Sequence, residues 1–472
     1  MTSPTPRFLF QSRCPGGRSN PRRTRWKRAW FGVAAVGIGL MVTGPLTLGP
    51  GVPAAPAQAA GRVHAPITGS GSTWSANALQ QWIRNVWANY QWKINYSESG
   101  STQGRNDFAN GTADFGVSEI PYAIANSNEG DPRPNRQFAY MPIVAGGTAF
   151  MYNLQIGGRR VTNLRLSGDV LAKIFTGVIT RWDDASIKAD NPALALPGIP
   201  IVPVVRSDGS GATAQVSIWL RQEHTAVWDA YCGKVGRPLV NGHCGVTSNY
   251  PVAAGSGFVS RSGSNGVAGY VAQSHAVGAI TFVEYSYALN AGFPVAKVLN
   301  RAGYYSEPTA SNVAVALLAA QINQDASSPD YLTQDLRGVY TNSDQRAYPL
   351  SSYSYIILPT AQGQGFTEDK GLTLADFGAY FLCEGQQQAE TLGYSPLPPP
   401  PPGGVVLVGV VRGRHVPRAA GAGDALDRSL PVTSGRVGRV LGEGVAVRVV
   451  WVERGVVALV DPLDGRVAAG DL

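Results

Sequence analysis

From about residue 62 to residue 396, short β-rich apolar runs alternate with amphipathic stretches, the pattern of an α/β fold. Residues 93–97 and 113–118 read as strands. Between residues 76 and 90, Leu79, Trp82, Ile83, Val86 and Trp87 recur at i, i+3, i+4, i+7 and i+8, which predicts a helix with one apolar face. A packed core face accounts for those tryptophans without a cofactor. Residues 201–206 form a further predicted strand, followed by a helix through Ile218, Trp219 and Leu220.

Three loops interrupt this pattern with one design. Gly69-Ser70-Gly71-Ser72-Thr73-Trp74 opens the helix at residue 76, Gly100-Ser101-Thr102-Gln103-Gly104 follows the strand 93–97, and Asp208-Gly209-Ser210-Gly211-Ala212-Thr213 follows the strand 201–206. Each is a strand–loop–helix junction, where unpaired first-turn N–H groups converge and the helix dipole favours negative charge. Glycine lets backbone approach a ligand, and Ser/Thr hydroxyls add uncharged donors. One such loop is ordinary N-capping; three in one chain supply donors enough to surround a tetrahedral oxyanion. None fits the nucleotide P-loop G-x-x-x-x-G-K-[ST], and none fits the nucleophile elbow G-x-S-x-G.

Two charged residues belong with the loops. Arg206 precedes the third and offers an anion a forked pair of charge-assisted bonds. Glu119 ends the strand 113–118, just before Pro121. Phosphate near neutral pH still carries a proton and donates a hydrogen bond, whereas sulfate does not. A buried carboxylate therefore admits the first and repels the second. A solvated surface acid is the plainer alternative for Glu119 taken alone.

Charge changes the picture less than its total suggests. The chain of 472 residues has a formal charge of +8, but residues 1–59 hold 8 Lys/Arg and no acid. Residues 60–397 carry 22 basic against 24 acidic side chains, so a basic nucleic-acid face is unsupported. The leader reads as a signal peptide: cations from Arg7 to Arg28, an apolar run over 30–48 broken by glycines, and Ala57-Gln58-Ala59 as the cleavage site. Arg22-Arg23 with Lys27 hints at twin-arginine export, and an uncleaved anchor is the alternative. No lipobox cysteine follows the run; Cys14 precedes it. In an oxidising compartment Cys232 and Cys244, around a Gly-rich loop, are disulfide candidates, with two free thiols as the alternative. Cys383, between apolar neighbours, reads as a buried inert thiol. Cysteine and histidine show no metal-ligand spacing, so no metal or cofactor is expected. After the proline run 398–402, residues 403–472 contain no Lys, Ile, Asn, Gln, Phe, Tyr or Cys. That bias favours a translated wrong reading frame of a GC-rich gene over a small β-module formed by Val-rich stretches such as 444–460. No function is placed in this Pro-rich linker and low-complexity tail.

With these residues assembled, the chain resembles the phosphate-binding receptor of the phosphate-specific ABC importer. The likeness runs over about 63–397 through ordered segments: 67–74, Asn95-Tyr96 with Gly100-Ser101, 114–121, Gly146-Gly147-Thr148 with Tyr152-Asn153-Leu154, 175–184, 206–211 and 278–285. It implies a type II periplasmic-binding fold with two α/β lobes, two hinge crossovers and a ligand cleft between the lobes. Lobe 1 would comprise 60–145 and 283–397, lobe 2 would comprise 146–282, and the hinges would fall near 144–152 and 279–285. The resemblance assigns phosphate binding to Thr73, Trp74, Ser101, Glu119, Arg206, Ser210, Gly211 and Ala212, with Asp208 orienting the arginine. Trp74 stands where the family has Phe, which is harmless if its backbone N–H binds. Glu119 replaces Asp, and Ala212 replaces a Thr whose hydroxyl Thr213 would supply instead. The implied partners are inorganic phosphate and the importer's permease subunits, with a monomeric receptor that is not an enzyme. A surface or signalling protein of the same fold is the alternative, and an exported hydrolase a weaker one.

Overall fold

In the computed structural model of the chain, the described residues are 63–397 without residues 128, 132 and 326, together with the backbone of four strands farther on: Val406–Val411, Ala446–Trp451, Ala458–Val460 and Val467–Ala469. The signal peptide with its cleavage site, and the proline run with most of the tail, lie outside them. Those four strands form two antiparallel pairs, so strands do occur within 444–460. Among the described residues no helix is long and apolar enough to cross a membrane.

The body is an α/β fold around one eight-stranded sheet. Its strands are β1 (Ile67–Gly71), β2 (Ile94–Ser97), β3 (Phe115–Ser118), β4 (Phe138–Tyr152), β5 (Val202–Arg206), β6 (Val259–Arg261), β7 (Ala279–Glu284) and β8 (Ser351–Pro359). Their order is β6-β5-β7-β4-β8-β3-β1-β2. β1 to β3 are parallel to one another, as are β5 to β7. The two parallel groups are the two lobes of a periplasmic-binding fold, and the antiparallel pair β4–β8 joins them. β4 is nearly all buried and serves both lobes. As far as Gly147 it faces β8, and from Thr148 it faces β7.

That switch of partner falls within 144–152, the segment where the first hinge is expected. The segment expected to complete lobe 1 after residue 283 returns to lobe 2 before it does so. Strand Lys297–Leu299 pairs with Arg165–Leu166, Ala296 N donates to Phe150 O (2.9 Å), and the short helix Arg337–Tyr340 packs on Gly211–Glu223. The chain recrosses where Tyr348 Oη donates to Thr148 O (2.8 Å) and Ser351 pairs with Gly147. β7 is antiparallel to β4 and ends with Glu284 opposite Thr148, at that switch of partner; after the next helix the chain turns back along β4, where Val295 bridges to Met151, and so caps lobe 2 before it recrosses.

Helices α1 (Ala76–Tyr90), α2 (Ser101–Ala109), α3 (Gly211–Glu223), α4 (Gly263–Val271) and α5 (Tyr285–Ala291) pack against the sheet. On α1, Leu79, Trp82 and Val86 are buried as the periodicity predicts, whereas Trp87 at the edge of the stripe is 45% exposed. Cys232 and Cys244 form a disulfide with Cα atoms 5.6 Å apart. Cys383 is half-buried rather than buried, in the π-helical turn Phe381–Gly385.

Candidate functional site

The three hydroxyl-rich loops meet. α1 and α2 begin without side-chain caps, which leaves their first-turn N–H groups to other partners. α3 is capped by Ser210, whose hydroxyl accepts from Thr213 N (3.2 Å). Three buried or half-buried tyrosines hold the first loop from behind. The hydroxyl of Tyr96 donates to Ser72 O (2.8 Å), that of Tyr287 to Thr73 O, and that of Tyr394 to Trp74 O (2.7 Å). Three successive carbonyls of the loop are fixed this way. Trp74 N donates to Ser72 Oγ (2.9 Å), and its indole Nε1 donates to Thr148 Oγ1 (3.3 Å).

Arg206, 4% exposed, points from the end of β5 toward the first loop. Its Nε donates to Asp208 Oδ1 (2.7 Å) and its Nη2 to Asp208 Oδ2. Nη1 donates to Thr73 Oγ1 (3.0 Å) and faces Ser264 Oγ at 3.4 Å. Asp208 thus takes the side-on fork of the guanidinium, and on the other edge Nη1 meets the hydroxyls of Thr73 and Ser264. Burial raises the Asp208 carboxyl, but the hydrogen bonds and charge of Arg206 outweigh it and hold Asp208 below the ordinary value. Gly263 N adds a bond to Asp208 Oδ1 (2.9 Å).

Glu119, 1% exposed, is no surface acid. Its Oε1 accepts from Ser72 Oγ (2.5 Å) and Ser354 Oγ (2.8 Å), and its Oε2 accepts from Ser101 Oγ (2.7 Å). Burial pushes the carboxyl above its usual value, and the three hydroxyls pull it part of the way back. Ser101 Oγ also accepts from Gly211 N (3.1 Å), which ties the second loop to the third. A side chain at Gly211 would place Cβ 2.0 Å from Glu119 Oε2, and one at Gly100 would place it 2.8 Å from Asp208 Oδ2. These glycines permit the two lobes to close.

The structure therefore brings together Thr73, Trp74, Ser101, Glu119, Arg206, Asp208, Ser210 and Gly211. Ala212 is buried beside them without a hydroxyl. Thr213 is buried too, and its Oγ1 has no partner among the described residues. Sequence reasoning missed Ser72, Ser264, Ser354 and the three tyrosines. Ser264 had a signal: strand β6, then Ser262-Gly263-Ser264, then α4 repeats the design of the other loops. Its Oγ lies 2.8 Å from Thr73 Oγ1.

Among the described residues no cluster of His, Cys, Asp and Glu suits a metal ion. What the arrangement suits is a small oxyanion, with hydroxyls, backbone N–H groups, one guanidinium and one carboxylate at close quarters.

Residues 53–384 match the model of the PBP superfamily domain. The chain is 34% identical over 336 residues to the phosphate-binding protein PstS of Xylella fastidiosa, covering 71% of this chain and 82% of that protein. It is 29% identical over 338 residues to the phosphate-binding protein PstS of Methanocaldococcus jannaschii, covering 70% and 82%. Among solved structures, a high affinity periplasmic phosphate-binding protein (PfluDING) bound with phosphate superposes with a TM-score of 0.53 at 21% identity, covering 71% of this chain and 91% of that one. That likeness supports the two-lobe fold. The chain belongs to the PBP superfamily and, within it, to the family of phosphate-binding proteins that includes these PstS relatives.

Proposed function

We propose that this chain is an exported receptor that captures inorganic phosphate between its lobes and delivers it to the permease of an ABC importer. The observation that carries the reading is Arg206, a buried guanidinium held by Asp208 against Thr73 and beside the starts of α1 and α3. A buried guanidinium whose Nη1 meets only the hydroxyls of Thr73 and Ser264 can trade those neutral partners for an anion. The polar groups that bond across the cleft, Arg206 with Thr73 and Ser101 with Gly211 N, are the ones that exchange each other for phosphate oxygens. Thr73, Trp74, Ser101, Ser210, Gly211 and Ala212 supply hydroxyl and backbone donors, and Glu119 accepts the proton that phosphate retains. Monomeric capture and hand-over to permease subunits follow the family's pattern.

Calorimetric titration with phosphate tests the reading directly, with one site expected and a matching thermal stabilisation. Arg206→Ala should weaken phosphate by more than ~2 kcal/mol, because a buried anion loses a charge-assisted fork. Wild-type affinity in that variant would place Arg206 outside the site.

A further inference from the structure

The connection between β3 and β4 carries a carboxylate that the anion site does not use. Glu129, from the lobe 1 side, reaches the loop Thr247–Asn249 of lobe 2. Its Oε1 accepts from Thr247 Oγ1 and from Ser248 N (2.7 Å), and its Oε2 accepts from Ser248 Oγ (2.6 Å). Asn249 N and Nδ2 stand at 3.4 Å from Oε1. Burial raises this carboxyl, yet the hydroxyls of Ser248 and Thr247 and the backbone amides outweigh it and hold it below the ordinary value. It is therefore ionised at neutral pH, and each of these bonds is charge-assisted. The same connection is sewn to lobe 2 nearby, where Val246 N donates to Asn126 O (2.8 Å).

Ser248 is where this contact joins the site. Its carbonyl accepts from Ser210 N (2.9 Å) at the cap of α3, and its hydroxyl lies 2.9 Å from Thr102 Oγ1 in the first turn of α2. One residue thus touches both helix starts that the proposed function needs, and Glu129 fixes that residue. The receiving loop is itself anchored, since Cys244, four positions before Ser248, is bridged to Cys232 and its N donates to Asp229 Oδ1 (2.6 Å).

We propose that Glu129 and Ser248 form an interlobe latch that positions the starts of α2 and α3 around bound phosphate and sets how long the anion stays. The proposal rests on the phosphate reading above. A latch made only after the lobes close stabilises the bound state and leaves encounter alone, so its loss appears in dissociation. Glu129 is a positioning residue; it needs no contact with the anion.

The test is stopped-flow kinetics of phosphate binding and release by the full chain, for wild type, Glu129→Gln, Ser248→Ala and the double variant. Glu129→Gln should release phosphate about tenfold faster, ~1.4 kcal/mol, with association within about twofold of wild type. The double variant should release no faster than the product of the single effects predicts, and should fall short of it, because both changes break one contact. A purely structural lesion would instead slow association or lower the fraction of active protein. Release at the wild-type rate in both single variants, or fully multiplicative effects, overturns the latch. Absence of phosphate binding by wild type overturns the phosphate reading and the retention role with it, an outcome distinct from wild-type binding with unchanged release.

Discussion

Both oxygens of Glu119 are occupied by hydroxyls in the closed structure, and Ser354 in turn bonds Ser75 (2.9 Å). A hydroxyl can turn from donating to accepting, so the serine cage adapts to either protonation state of the carboxyl. While Glu119 is ionised it accepts a hydrogen bond and demands a protonated oxyanion. Glu119→Gln presents an amide N–H₂ in its place, so sulfate binding should rise relative to phosphate by about tenfold, ~1.4 kcal/mol. Because the folded carboxyl titrates above its usual value, wild type should also lose discrimination as pH falls through that value, whereas the glutamine variant should show no such trend. Calorimetry with both anions at one ionic strength checks each point, and an unchanged ratio would remove Glu119 as the discriminating acceptor. Most of this site was legible from local pattern, because glycine and hydroxyls at a strand–helix junction carry their chemistry wherever they occur. Ser354 was not legible. It reaches Glu119 from 235 residues away, at an irregularity in the β8 register that no local spacing announces. Tyr96, Tyr287 and Tyr394 were equally silent in this role, since only the fold reveals which carbonyl a tyrosine hydroxyl meets.

Elements were easier to read than their joints. The period of α1 and the strands flanking each glycine loop came from the spacing of apolar residues, and the burial of Leu79, Trp82 and Val86 follows it. The return to lobe 2 after β7 was not legible, because strand pairing decides where a chain runs and pairing is non-local. The joint at the end of β7 contains Glu284, fully buried, whose Oε2 caps α5 by accepting from Ser286 N (2.8 Å) and whose Oε1 has no partner among the described residues. Burial drives its carboxyl well above the ordinary value, with the Ser286 bonds opposing. A carboxyl raised by folding helps the fold below its unfolded value near 4.5, and that help is lost as pH rises through the folded value. Glu284→Gln keeps the cap and removes the titration. It should therefore be more stable than wild type at neutral to alkaline pH by ~1–3 kcal/mol, the cost of an unsatisfied buried polar group. The gain should vanish below the ordinary glutamate value. Denaturant midpoints measured across pH read this directly, and a gain independent of pH would trace the effect to packing.

At the scale of the whole chain, charge and core divide the sequence in the same places. The cationic excess lies before residue 60, and the body that follows is nearly neutral. The main apolar core draws on buried residues from Ile67 to Tyr394 and takes in side chains of both lobes. The last body contacts close that core: Ser395 bridges to Ala145, and Leu397 N donates to Gln386 Oε1 (2.8 Å). A tail beginning with five prolines and lacking eight residue types then follows. Among the described residues, the last that touches the site's loops is Tyr394, through Trp74 O. Truncation before Gly403 should leave the melting temperature within about 2 °C, which for a body of this size corresponds to under ~1 kcal/mol. Phosphate affinity should be unchanged within about twofold, ~0.4 kcal/mol. Differential scanning calorimetry and titration of the shortened chain measure both quantities. A clear drop in melting temperature with affinity intact would show that the tail packs on the body as a separate module. A loss of affinity with stability intact would show that it influences closure, and would put part of the binding apparatus beyond the proline run.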